Sequence, residues 1–414
     1  MGRAENRRAW ALEVVDILVE AGHEAVWAGG CVRDLLLGRD PDDFDIATDA
    51  PPERVREVFG YRRTFAVGES FGVILVRGAR GQEPIEVATF RAEGPYLDGR
   101  HPESVRFATR EEDARRRDFT INGLFMDPRS GEVFDHVGGQ ADLRRRLVRA
   151  IGDPRDRIAE DKLRMLRAIR FAAALGFAMD PATGNAISEH ASEIDVVSAE
   201  RVAGELKKML LPGSRCAAID LAIETGLLLA ILPEVGGATD DGAGERVRDR
   251  IGRLEGEAGP MVALACVLAD VPDPTSSCRG LRLSNQETDL VTWLITHRDS
   301  LGDARQQPRS RLFPVLADDR SSALLSFVGA VGDAGWNSDV DWCRQALERL
   351  EPGELNPRPL ITGDDLVSVG LSPGPLFKTL LDSVRNAQLD EVVTDRDQAM
   401  ALVREIRTRQ DEAD

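Results

Sequence analysis

The chain has 414 residues, with 53 Lys and Arg against 71 Asp and Glu, a formal net charge of −18 and a pI near 4.9. An apolar share of 42% is ordinary for a soluble protein, and no apolar run reaches the length of a membrane span, so a helical membrane protein is excluded and two to four buried cores are allowed. Five scattered cysteines without a C-x-x-C pair exclude a zinc ribbon or disulfide scaffold and suit a reducing cytoplasm.

The N-terminal segment is charged, then helically periodic over residues 7–21, and lacks a signal-peptide h-region. Residues 25–28 are an apolar run, followed at 29–47 by GGCVRDLLLGRDPDDFDIA. Gly29 and Gly30 predict a turn whose backbone N–H groups can approach a phosphate closely. Arg33 offers a planar donor fork to phosphate oxygens, with Asp34 beside it. Asp43 and Asp45 are alternate residues of one expected strand, whose strand-type run is 44–47, and so share a face; paired hard oxygen ligands suit Mg²⁺. Asp42 has the opposite parity and is expected to serve a turn or cap, and Cys31 to be a small packed residue. The segment describes a site that holds a nucleoside triphosphate by its phosphates and a metal at its α-phosphorus.

Asp49-Ala50-Pro51-Pro52 signals a helix over 53–59. Residues 74–77 and 85–90 read as strands, 94–102 as a loop, and 105–108 and 133–135 as strand pieces. Strands mixed with helices predict a head over residues 1–150. Beyond Gly152 the pattern is helical, with helices expected over 158–174, 181–194, 199–210 and 217–228. Residues 235–248 are Gly/Asp-rich and read as loop, with further breaks at 272–274 and 303–308. Despite the acidic total, Arg115 to Arg117, Arg144 to Arg146, Arg149, Arg164, Arg167, Arg170, Lys207 and Lys208 can supply a basic groove for RNA.

The 29–47 segment resembles the signature of the class II tRNA nucleotidyltransferases and bacterial poly(A) polymerases, and further motifs follow in that family's order. IEVATFR at 85–91 resembles the strand carrying a third carboxylate, Glu86; RRDFTIN at 116–122 resembles a ribose-reading motif; EDKLRMLRAIR at 160–170 resembles a base-reading helix. The likeness returns over 360–402 in what resembles a tRNA-handling tail. The resemblance implies an α+β fold: a polymerase-β-like head with a mixed sheet at 1–150, then an all-helical neck at 151–212, body at 213–330 and tail at 331–414. It implies Asp43, Asp45 and Glu86 as metal ligands in a two-metal transfer. It places Gly29, Gly30, Arg33, Asp34, Arg117, Asp118, Asn122, Asp161, Arg164, Arg167 and Arg170 around the nucleotide. Asp118 would accept ribose hydroxyls.

Asp161, Arg164, Arg167 and Arg170 are spaced i, i+3, i+6, i+9, so Asp161 and Arg164 would set an acceptor beside a donor on one helix face. Cytosine and adenine complement that pair, whereas guanine and uracil meet like with like. Glu160 would hold the arginine fork. The resemblance implies that the loop at 91–102, which looks complete, favours addition of the terminal A. Residues 259–300 resemble the family's histidine-aspartate region, but Leu268-Ala269-Asp270-Val271 stands where its metal pair would be. No phosphohydrolase site is expected there, and His297 reads as structural.

These features imply a cytoplasmic, template-independent enzyme that adds CCA to tRNA from CTP and ATP with Mg²⁺, without a protein partner. Narrower A-adding or poly(A) duty shares every motif. An inactive RNA-binding module would lack an intact Asp43/Asp45 pair, and a small-molecule nucleotidyltransferase would lack the long helical half.

Overall fold

The computed structural model describes residues 3–66, 72–79, 82–93, 105–236, 242–332, 334–372 and 374–411. They cluster into two units, one of Met1–Gly244 with Gly280–Arg282 and one of Glu245–Arg279 with Leu283–Asp414.

In the first unit, strands β1 (Ala25–Ala28), β2 (Asp45–Thr48), β3 (Thr64–Ala66), β4 (Val73–Val76), β5 (Ile85–Thr89), β6 (Arg91–Glu93), β7 (Val105–Phe107), β8 (Leu124–Met126) and β9 (Val133–Asp135) alternate with helices. Seven of them form one sheet in the order β3-β4-β5-β2-β1-β8-β9, while β6 and β7 pair separately. All four residues of β1 are buried, as a continuous apolar strand in mid-sheet requires. It runs antiparallel to β2 and β8, whereas β2 is parallel to β5 and sets Asp45 opposite Glu86. Val26, Ala28, Ala47, Phe90, Ala114 and Phe125 pack as one core cluster, with Phe90 and Phe125 edge to face at 5.9 Å.

The helices of this unit begin with α1 (Arg3–Glu20), α2 (Gly30–Leu36), α3 (Pro52–Phe59), α4 (Arg110–Arg115), α5 (Gly139–Arg145), α6 (Pro154–Glu160), α7 (Leu163–Leu175), α8 (Pro181–His190) and α9 (Ala199–Met209). Two departures matter. Asp43 lies ahead of β2, so only Asp45 of the pair is a strand residue. The expected helix over 158–174 is broken at Asp161, whose backbone is extended at φ −149° and ψ 105°. The cause is local: the Asp161 carboxylate accepts the Leu163 N–H at 3.1 Å, an aspartate side chain competing with the helix ladder. The loop expected at 94–102 lies outside the described residues.

The second unit is helical, with breaks between helices at 303–308 as the sequence predicts and at 272–273, while Pro274, expected in that break, opens the helix Pro274–Gly280. The reading of 235–248 as loop fails in part, because Ala243–Arg253 is a helix. Its buried Ala243, Val247, Ile251 and Leu254 repeat at helical spacing beneath a charged surface that hides the period. Near the C-terminus Ile361, Leu366, Leu380, Val384, Ala399 and Val403 form a separate small core. No described helix is long and apolar enough to cross a membrane.

Candidate active site

The N-terminal end of α2 is built by glycine. Gly29 adopts φ 72°, a left-handed conformation, and a Cβ there would fall 2.9 Å from Arg117 Nη1. The turn opens into a cleft of about 750 Å³ whose walls include Gly29, Gly30, Arg33, Asp43, Asp45, Arg117, Asp118, Asn122, Asp161, Arg164, Arg167, Arg170 and Phe171. Twelve of the fourteen residues expected around the nucleotide and metal therefore meet in one place; Asp34 and Glu86 do not line it.

On the sheet side the charges are crowded. Asp45 stands opposite Glu86 in the parallel β2–β5 pair. Although its edge is open to solvent, lost hydration and the like charges of Glu86 and Asp43 push the Asp45 carboxyl up to about 6, against the opposing pull of Arg117. Asp43 is 80% exposed and accepts from Arg7 Nη1 at 2.8 Å, while the other arm of Arg7 meets Glu83. Among the described residues no three His, Cys, Asp or Glu side chains converge as a ready metal cage, and Asp43 is paired with Arg7. The donor set still suits a divalent cation: hard carboxylate oxygens, in excess of the cations that face them. Cys31 is buried, donates to Ala28 O and has its thiol pushed up to about 12 by burial, which makes it inert packing.

On the helical side the charges are paired. Arg33 forks onto Asp34 at 2.8 and 2.9 Å and donates through Nη1 to Asn122 Oδ1 at 2.8 Å. Asp118 is 8% exposed. It accepts Phe119 N–H and Asn122 Nδ2 on one oxygen (2.8 and 3.1 Å) and Arg167 Nε and Nη2 on the other (2.9 and 2.6 Å). Burial alone would raise its pKa, but Arg167 and these donors hold it below the usual carboxylate range. With four N–H donors in place, its first task is to fix Arg167 and Asn122, and any ribose hydroxyl must share its remaining lone pairs. Asp161 is held by Arg201 at 3.2 and 2.7 Å. Arg164 is buried; it donates to Arg157 O at 2.8 Å and to the Glu160 carboxylate, the partner expected for its fork. Asp161 and Arg164 face one cleft from two elements, not from one helix face.

Several participants escaped the sequence reading. Asp113, 1% exposed, takes Arg116 on one oxygen (2.8 and 2.7 Å) and Arg117 on the other (3.1 and 3.0 Å). Burial acts to raise its pKa, yet Arg117 and Arg116 keep it low. Glu205 is buried beneath Arg170 Nε at 2.5 Å. Its signal was present, since it interrupts the apolar stripe of Val202, Leu206 and Met209 on α9, where only an internal cation could accept it. Phe171 carries Arg170, Arg33 and Arg167 at 4.0, 5.3 and 5.4 Å from its ring centre. It was hidden in an apolar helix run.

Elsewhere, Asp270 receives Arg250 at 2.8 Å, with Arg246 and Arg298 at 3.2 and 3.6 Å. His297 bonds Trp293 O at 2.9 Å and stacks on its ring at 4.3 Å.

Comparisons with known proteins agree with this architecture. Residues 25–149 match the poly A polymerase head domain, and residues 176–237 match a probable RNA and SrmB-binding site of polymerase A. A CCA-adding enzyme of Geobacillus stearothermophilus is 34% identical over 97% of this chain and 98% of its own length. That of Bacillus subtilis is 44% identical over 52% and 54%. Among solved structures, the Bacillus stearothermophilus CCA-adding enzyme in complex with CTP covers all of both chains at 30% identity and a TM-score of 0.79. A Thermotoga maritima CCA-adding enzyme complexed with tRNA shares the fold at 19% identity, covering 95% of this chain and 94% of its own, with a TM-score of 0.69.

Proposed function

This chain belongs to the CCA-adding enzymes, nucleotidyltransferases that use a divalent metal, and on that premise we propose that it completes tRNA 3′ ends from CTP and ATP with Mg²⁺ in the cytoplasm. The observation that carries this reading is the single cleft in which the Gly29–Asp45 face of the sheet opposes the arginine wall of α7. Asp43 and Asp45 would hold the metal, with Glu86 beside Asp45; bound there, it would neutralise the triphosphate and favour ionisation of the attacking 3′-hydroxyl. The Gly29–Gly30 backbone and Arg117 receive the phosphates, Arg117 being pinned at Gly29 by buried Asp113.

Asp161 and Arg164 read the base edge as acceptor and donor. Arg201 behind Asp161 and Glu160 behind Arg164 hold both side chains in orientation. Guanine or uracil would set donor against donor and acceptor against acceptor at this pair, so the protein itself selects C and A. Phe171 and its arginines flank the same space. The RNA approaches over exposed Arg144 to Arg146 and Lys208, with the 360–402 segment holding the body of the tRNA. The segments 1–150, 151–212, 213–330 and 331–414 act as head, neck, body and tail.

The deciding assay supplies purified protein with tRNA ending at the discriminator base, or at CC, plus each labelled nucleotide. Three added residues from CTP and ATP support the proposal. A single A on the CC substrate alone, or a long A tail, would replace it by the narrower duties.

A further inference from the structure

The second unit contains a cavity of about 340 Å³ that the transfer reaction does not use. It lies between the helices Arg309–Leu316 and Ala334–Arg349. Trp342, half-exposed, and buried Phe313 give it flat aromatic walls, and exposed Arg305, Arg309 and Arg349 line it as well. Arg309 meets the Glu391 carboxylate, and Arg349 donates to Gln345 Oε1 at 3.4 Å. No carboxylate is among the residues lining this cavity. That is a strong local bias in a chain with 71 acidic against 53 basic residues. An open pocket of this size, with an indole face and guanidiniums but no anion, suits a planar ring bearing phosphates. An acidic peptide would satisfy the charges but leave the indole unused; an apolar ligand would leave Arg305 and Arg349 without an anion.

We propose that this cavity takes one unpaired nucleotide of the RNA substrate, its base against Trp342 and its flanking phosphates on Arg305 and Arg349. The proposal rests on the reading of the protein as a tRNA-binding enzyme and deepens it by adding a contact away from the cleft. Stacking tolerates any base, so the pocket would recognise an unpaired position rather than a sequence.

The test measures binding of a tRNA transcript lacking its CCA end to the full-length protein, across a salt series, together with the KM for CTP. Trp342→Ala should weaken tRNA binding about 5- to 150-fold, the weight of one stacked base, and Trp342→Phe should retain most of the affinity. Arg305→Glu alters an exposed side chain, so it should fold normally. It should weaken binding and flatten the logarithmic salt dependence by about one phosphate contact. The CTP KM should stay unchanged in all three. If Arg305→Glu and a folded Trp342→Ala both bind tRNA like the wild type, the pocket assignment falls while the enzyme reading stands. If the wild type itself fails to bind tRNA, both readings fall together.

Discussion

The two walls of the cleft are charged in opposite styles. The α7 wall is closed on itself: Asp118 with Arg167, Asp161 with Arg201 and Glu205 with Arg170 each make bonds of 2.5 to 3.2 Å. The sheet wall sets Asp45 beside Glu86 and Asp43 with too few cations, and its one raised carboxyl records the strain. The first is pre-ordered, so under the proposed base reading its groups need not move. The second is an incomplete electrostatic arrangement that a metal and a triphosphate would complete.

The largest effect should come from the incomplete wall. Asp45→Asn removes a charge that the proposed metal site relies on, and incorporation should drop by roughly three orders of magnitude or more. The same change should leave the fold intact. Turnover within tenfold of wild type would show that the sheet wall is not the metal side.

On the paired wall, substitution should cost choice rather than chemistry. Arg164→Ala removes the donor of the proposed reading pair, and preference for CTP and ATP over UTP and GTP should narrow by about 10- to 100-fold in kcat/KM. Asp161→Ala should narrow it likewise while sparing triphosphate affinity. Unaltered discrimination in both variants would mean that the base is read elsewhere.

A pH series separates the walls without substrate. An acid whose folded pKa, about 6, lies above its unfolded 3.8 holds its proton more tightly when folded. Stability from Asp45 therefore falls as pH rises from about 4 to about 6. Asp113 and Asp118, held low, contribute in the other direction, losing stability as the solution becomes acidic. In EDTA, the Tm advantage of Asp45→Asn over wild type should be near zero at about pH 4, grow to about pH 6 and then level off. A pH-independent difference would contradict the crowding of the sheet wall.

The smallest effect concerns Arg7. A divalent ion must share or displace its ion pair with Asp43, so Arg7→Ala should tighten Mn²⁺ binding to the nucleotide-free protein by about two- to fivefold, the scale of an exposed ion pair. Titration by electron paramagnetic resonance reads this directly, and weaker binding would make Arg7 a support of the metal site instead.

Much of this could be read in the chain. The glycine turn, the D-x-D pair and the arginine series are local patterns whose spacing carries chemistry, Glu86 came only with the family resemblance, and the sheet strands β2, β4 and β5 follow from short apolar or alternating runs. The break at Asp161 was missed because the apolar period continues across it and only a side-chain hydrogen bond interrupts the helix. Arg7 was missed because nothing in a charged N-terminal helix announces a partner 36 residues away.

The sequence by itself determined which groups are available: their types, their order and the strands and helices that local periodicity allows. Only the tertiary structure decided who pairs with whom. Asp118 with Arg167, Asp161 with Arg201 and Asp45 beside Glu86 join residues 40 to 49 positions apart. Coulomb interactions depend on distance in space and on lost hydration, and both are set by packing. The same residue type, aspartate, is thus held charged on one wall and pushed toward neutrality on the other.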